Sequence, residues 1–158
     1  MKSTWLALAA AVVLCACGTD HPGESPFSLS DYKGRWLVVN YWAVWCKPCI
    51  KEIPELNALD AKYPQVAVVG VNFDGETGDT LRQQVEQLGI TFPIVGEEPS
   101  AALGVDLPSV LPATFIFDPD GRLAHTLVGP QTLETLAAAT GQVAMPEEGD
   151  GESELQPK

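Results

Sequence analysis

Basic side chains are scarce in this 158-residue chain: nine Lys and Arg stand against 21 Asp and Glu, a formal net charge of −12. A surface of that sign repels phosphate backbones and anionic lipid headgroups, so a nucleic-acid role has no physical support. Histidine is scarcer still, with only His21 and His125, far apart in the chain. Beside four cysteines, that leaves a zinc site short of about two ligands. No apolar run reaches the roughly 18–20 residues needed to cross a bilayer as a permanent helix. Internal repeats and low-complexity core segments are also missing.

The cysteines fall into two pairs, and the first belongs to a terminal segment. Lys2 supplies a short basic start and Leu6 to Ala16 an Ala-rich apolar stretch, ending in Leu14-Cys15-Ala16-Cys17-Gly18. This resembles the lipobox of bacterial lipoproteins, with Leu14 and Ala16 at the third and first positions before Cys17, and Cys15 an unusual occupant of the middle one. The resemblance implies a lipoprotein signal peptide over 1–16, lipidation of Cys17 and a polar tether over 17–26. The protein would then be held by acyl chains on the periplasmic side of a bacterial membrane. Gly18-Thr19 offers no aspartate beside Cys17 as an inner-membrane retention signal, which favours the outer membrane. The alternative keeps Cys15 and Cys17 as thiols of an ordinary secretory peptide. At the other end, residues 144–158, with Glu147-Glu148-Gly149-Asp150 within them, lack apolar periodicity and read as an acidic disordered tail.

Between these ends, residues 27–143 suffice for one well-buried core and not for two. Apolar runs predict strands over 36–42 and 66–72. Helices are predicted over 47–62, with Ile50, Ile53, Leu56 and Leu59 as its buried face, and over 77–88, ended by Gly89. Pro54 is expected to kink the first of these. A short helical turn is predicted at 99–103. Thr114-Phe115-Ile116-Phe117, the turn Asp118-Pro119-Asp120-Gly121 and a strand over 122–128 make a hairpin. A last helix over 131–140 should bury Leu133, Leu136 and Ala137. Strand–helix alternation followed by a hairpin gives an α/β fold with a mixed central sheet and helices on both faces.

The second cysteine pair stands in Trp45-Cys46-Lys47-Pro48-Cys49, where the first strand hands over to the first helix. A loop this short removes little unfolded-state entropy, so the pair reads as a redox site rather than a structural staple. Free N–H groups at a helix start favour a thiolate. Cys46, at the boundary, should reach solvent and attack; Cys49, one turn further in, should pack beneath it and resolve the mixed disulfide. Pro48 fits a first helical turn, having little to lose there.

Pro112 directly precedes an apolar strand. A cis Leu111-Pro112 bond would turn the backbone of Leu111 outward to pair with an extended substrate polypeptide. Glu52 has two readings: a surface acid, or a buried carboxylate with a raised pKa that takes and returns the proton of Cys49. Trp45 is the residue placed to form an apolar lip around the disulfide. His125, in a late strand, reads as structural or surface, and Asn72 and Asp74 fall at the carboxyl end of the second strand.

Taken together, Val39-Asn40-Tyr41-Trp42-Ala43-Val44-Trp45-Cys46-Lys47-Pro48-Cys49, Glu52-Ile53-Pro54-Glu55-Leu56 and Leu111-Pro112-Ala113-Thr114-Phe115 resemble the TlpA/ResA/CcmG (DsbE-type) branch of thioredoxin-like proteins. The resemblance implies a thioredoxin-like fold and a protein-disulfide reductase needing no cofactor. Asn40 stands where thioredoxin itself has a buried aspartate, and relatives in this branch pair that asparagine with a glutamate at the place of Glu52. Implied partners are disulfides of exported proteins, such as apocytochrome c or a metal-site protein, and a membrane electron donor of the DsbD or CcdA type. A monomer is expected. Lys47-Pro48 is similar to the reductase pattern and unlike the Pro-His dipeptide of the oxidant DsbA. An oxidant or isomerase would use the same pair. A peroxiredoxin-like peroxidase would need a lone cysteine in a Pro/Thr-bearing loop. A copper-delivery module would need a nearby Met or His, whereas Met145 lies past the last helix.

Overall fold

Seven residues of almost unbroken apolar character, Trp36–Trp42, form β1, and all but Trp36 are buried. A strand covered on both faces has no polar side to alternate with. Its parallel partner β2, Val66–Asn72, is buried at every position. The computed structural model describes residues 27–143; the predicted signal peptide, Cys17, the tether and the acidic tail lie outside the described residues.

Between the two strands runs α1, Lys47–Lys62, which Pro54 does not end. Its buried stripe is Cys49, Glu52, Ile53, Leu56 and Leu59. Ile50, expected on that face, is exposed. A helix advances about 100° per residue, so a run counted strictly in threes drifts off the stripe that starts at Cys49. After β2 come α2, Gly78–Leu88, and the two-residue strand β3, Ile94–Val95, parallel to β2. Gly89 ends α2 with φ 65°, the left-handed conformation that glycine adopts without a Cβ clash.

A short helix α3, Ser100–Leu103, precedes β4, Ala113–Phe117, which is antiparallel to β1. β5, Leu123–Val128, completes the hairpin. The last helix, α4, is Leu133–Ala139, with Leu136, Ala137 and Ala138 buried and Leu133 only partly so. Thr132 caps it, accepting from the Thr135 N–H at 3.2 Å, while the Thr135 hydroxyl accepts the Thr132 N–H at 3.0 Å. The sheet order is β3-β2-β1-β4-β5.

This is the expected thioredoxin-like α/β architecture. Both parallel crossovers step toward the same edge, so α1 and α2 share a face, where Ile53, Leu56, Leu59 and Leu81 meet Val38, Val68 and Ile116. α4 joins them through Leu136 and Ala137. The opposite face carries Leu37, Val39, Val69, Phe115 and Phe117, covered by Leu103 of α3 and by Phe27, Leu29 and Tyr32. Gly70 leaves room at the centre of β2: a Cβ there would come within 2.6 Å of Ile94 Cδ1 and 2.9 Å of Trp42 Nε1.

Candidate active site

The chain leaves the carboxyl end of β1 through Ala43-Val44-Trp45 and enters α1 at Cys46, its N-cap. The Cys46 N–H donates to Ala43 O at 3.1 Å, closing the turn, and the Ile50 N–H donates to Cys46 O at 3.1 Å, starting the helix. Cys46 and Cys49 are joined as a disulfide with Cα atoms 5.3 Å apart. The Cys49 N–H donates to Cys46 Sγ at 3.3 Å. That sulfur takes the cap position usually filled by a side-chain oxygen, and the donor would also stabilise a thiolate there. Pro48 lies in this first turn, where an N–H has no intrahelical acceptor.

The burial of the pair differs from expectation in degree. Cys46 is 4% exposed and Cys49 1%, so the first sulfur is the more accessible, yet both are largely covered. Both belong to the core cluster that includes Trp42, Ala43 and Ile53, with Leu111 packed against it. Trp45 lies outside this cover, 61% exposed. Its Nε1 donates to both carboxylate oxygens of Asp74, at 3.1 and 3.0 Å, and its ring meets Phe73 edge-on with centroids 6.4 Å apart. Asp74 thus fixes the indole beside Cys46, a role the spacing of these residues gave no means of seeing. Asn72 is committed elsewhere, donating to Gln84 and accepting the Glu76 N–H.

Glu52 is 1% exposed, one helical turn beyond Cys49. Asn40 Nδ2 donates to its Oε2 at 3.3 Å, and the Gln131 N–H donates to its Oε1 at 3.3 Å. The same Asn40 amide donates to Thr114 Oγ1 at 3.0 Å. Asn40 and Thr114 are direct partners across the β1–β4 ladder, so sheet register sets this network. Burial pushes the Glu52 carboxyl up to about 7 from 4.5, against the lowering effect of hydrogen bonds from Gln131, Asn40 and Thr114. Neither Thr114 nor Gln131 was expected at the site. A lone polar residue inside Ala113–Phe117 was a usable signal for Thr114; Gln131, at the approach to α4, carries none.

The Leu111–Pro112 bond is cis. Ala113 pairs with Tyr41, which sets Pro112 at the level of Trp42, by the carboxyl end of β1. The carbonyl of Pro112 accepts the Gly129 N–H at 2.9 Å. Fold register therefore brings Leu111, Pro112, Glu52 and the cysteine pair to one end of the sheet. His125 is exposed on β5, away from them. Among the described residues no group of three or more His, Cys, Asp or Glu is arranged to hold a metal ion. Nor is any helix there long and apolar enough to cross a membrane.

Comparison with known proteins matches residues 13–126 to the AhpC/TSA family. The thiol-disulfide oxidoreductase ResA of Bacillus thuringiensis (strain Al Hakam) is 35% identical over 119 residues, covering 75% of this chain and 68% of that protein. Among solved structures, StoA from Bacillus subtilis superposes with a TM-score of 0.58 at 28% identity, over 68% of this chain and 84% of that one. A DsbF homologue from Corynebacterium diphtheriae gives 0.63 at 28% identity, over 73% and 76%. The matched length takes in the cysteine pair, Glu52 and the cis-proline strand, and the chain belongs to the AhpC/TSA family and to the ResA/TlpA-like thioredoxin family.

Proposed function

We propose that this thiol-disulfide oxidoreductase is a reductase of disulfides in exported proteins, with Cys46 as attacking and Cys49 as resolving thiol. The observation that carries this reading is the Cys46–Cys49 pair at the start of α1 with the Glu52 carboxyl buried one turn beyond Cys49. In the reduced protein the Cys46 thiolate attacks a client sulfur, forming a mixed disulfide and expelling the client's other sulfur as a thiolate. Glu52 takes the proton of Cys49, whose thiolate attacks Cys46 Sγ and releases the second client sulfur. Two electrons pass to the client, and the pair ends as the disulfide. A carboxyl titrating near 7 exists in both forms at neutral pH and so can accept this proton and give it up again.

Leu111 and Pro112 form the platform for the client's extended backbone, and Trp45 the lip beside the reacting sulfur. A membrane donor of the DsbD or CcdA type restores the dithiol, which an oxidising compartment would otherwise hold oxidised. Lipidation of Cys17 tethers the domain to the periplasmic side of the membrane, within reach of such a donor, with apocytochrome c or a metal-site protein as client.

Direction follows from charge. A neighbouring carboxylate disfavours a second negative charge on the buried thiol, and a weakly stabilised reduced form gives up electrons readily. Equilibration with glutathione tests it. A potential on the order of −200 mV or lower is expected, and one near −120 mV would make the protein an oxidant.

A further inference from the structure

The end of the β4–β5 hairpin carries apolar surface that the disulfide chemistry does not use. On one face of the hairpin, Ala113 pairs with Val128, Phe115 with Thr126, and, past a register shift, Phe117 with Leu123. α3 and Val105 cover the inner part of this face. Beyond them the face stays open as a groove of about 500 Å³, walled by Leu107, Pro108 and Val110. Val110 and Val128 are 57% and 62% exposed, and Leu107 and Leu123 are exposed as well. Asp106 is the sole charged residue of the lining. β5 is the edge strand, and its outer backbone faces no other strand among the described residues. It has neither the lysine nor the proline by which edges are commonly blunted.

The groove is continuous with the reaction site. Val110 leads into Leu111-Pro112, and Leu111 packs against both the core cluster holding the two cysteines and the cluster holding Phe115 and Phe117. Val128 is followed by Gly129, whose N–H binds the Pro112 carbonyl. A chain engaged at Leu111 therefore has an open apolar floor and a free strand edge directly beside it.

We propose that this groove binds an extended, apolar segment of the client polypeptide flanking its disulfide, paired along β5 with alternate side chains against Val128, Thr126 and Leu123. The proposal rests on the reading of Cys46–Cys49 as reducing polypeptide disulfides. Backbone pairing supplies affinity in this mode, and the alternate apolar contacts supply selectivity. The client class is thus a chain with alternating apolar residues near its cysteine, such as an unfolded or edge-strand segment.

Two synthetic peptides test this, each with one cysteine held as a mixed disulfide with glutathione. One is flanked on both sides by alternating Val and Thr, the other by alternating Ser and Thr. Pre-reduced full-length protein should react with the Val/Thr peptide about tenfold faster under subsaturating conditions, the worth of roughly one buried apolar side chain. Leu107→Ser or Leu123→Ser should abolish most of that preference and leave the rate with oxidised glutathione unchanged, while Leu123→Val retains it. Equal rates on the two peptides, or variants that slow the peptides and oxidised glutathione alike, would overturn the proposal. So would a concentration-dependent dimer of the wild type that Leu107→Ser dissociates, because the groove would then serve a second copy. Failure to reduce even oxidised glutathione would instead refute the assignment of the cysteine pair, and the client groove with it.

Discussion

Replacing Glu52 by Gln converts the burial of this carboxyl into a measurable dependence of stability on pH. The group titrates near 7 in the folded protein and at about 4.5 without its surroundings, because burial disfavours the charged form. Between those two values the folded state keeps a proton that the unfolded chain has released. Its contribution to stability is complete below 4.5, falls by about 1.4 kcal/mol per pH unit, and is lost once the pH has risen through 7. The total is roughly 3 kcal/mol. Gln cannot ionise and escapes this loss. It also turns an NH₂ group toward one of the two donors, Asn40 or the Gln131 N–H, which costs about 1 kcal/mol at every pH. Glu52→Gln should therefore be about 1 kcal/mol less stable than wild type at pH 4 and about 2 kcal/mol more stable at pH 8. Urea unfolding of both oxidised proteins in small pH steps gives the difference directly, since all other groups titrate alike in the two. A difference that stays constant with pH, or a variant that loses ground as pH rises, would refute the buried-acid account.

Two further outcomes follow from the packing. In the reduced protein, iodoacetamide near neutral pH should modify Cys46 well before Cys49, and Cys49→Ser should retain a client through Cys46; equal labelling would undo the division of roles, which rests on a small difference in exposure and on the helix-start donor. Gly70→Ala should destabilise the fold by about 1–3 kcal/mol, seen as a lower urea midpoint at unchanged slope, because the added methyl meets Ile94, Phe92 and Trp42 in a closed core.

Strong local patterns made the centre of the fold legible. The spans of β1, α1 and β2 are those predicted, because unbroken apolar runs and a long helical stripe speak for themselves without tertiary context. β3 was not anticipated: two residues paired only to Gly70 and Val71 leave no periodicity to detect. The α4 helix is shorter than predicted at both ends, since Thr132 acts as its cap and Thr140 closes it. The limited access of Cys46 also escaped the sequence, because cover over a helix start comes from residues distant in the chain, here Leu111 among them.

Glu52 marks where sequence reasoning stopped short. Its place three residues beyond Cys49 read as a neighbouring face of the helix, which left a surface acid and a buried one in competition. Positions 49, 52, 53, 56 and 59 in fact share a single face, the buried one. A carboxyl on that stripe must be either protonated or well supplied with donors. Its donors could not be read locally. Asn40 is 12 residues back on β1, and Gln131 is 79 residues ahead, before α4. These hydrogen bonds oppose the desolvation without cancelling it, and the carboxyl is pushed up to about 7 rather than staying at its usual value. A better-supplied Glu52 would stay ionised at neutral pH and return no proton; a worse-supplied one would stay protonated and accept none. The partial supply, fixed by the pairing of Asn40 with Thr114 and the docking of the segment before α4, is what the proposed proton exchange with Cys49 would require.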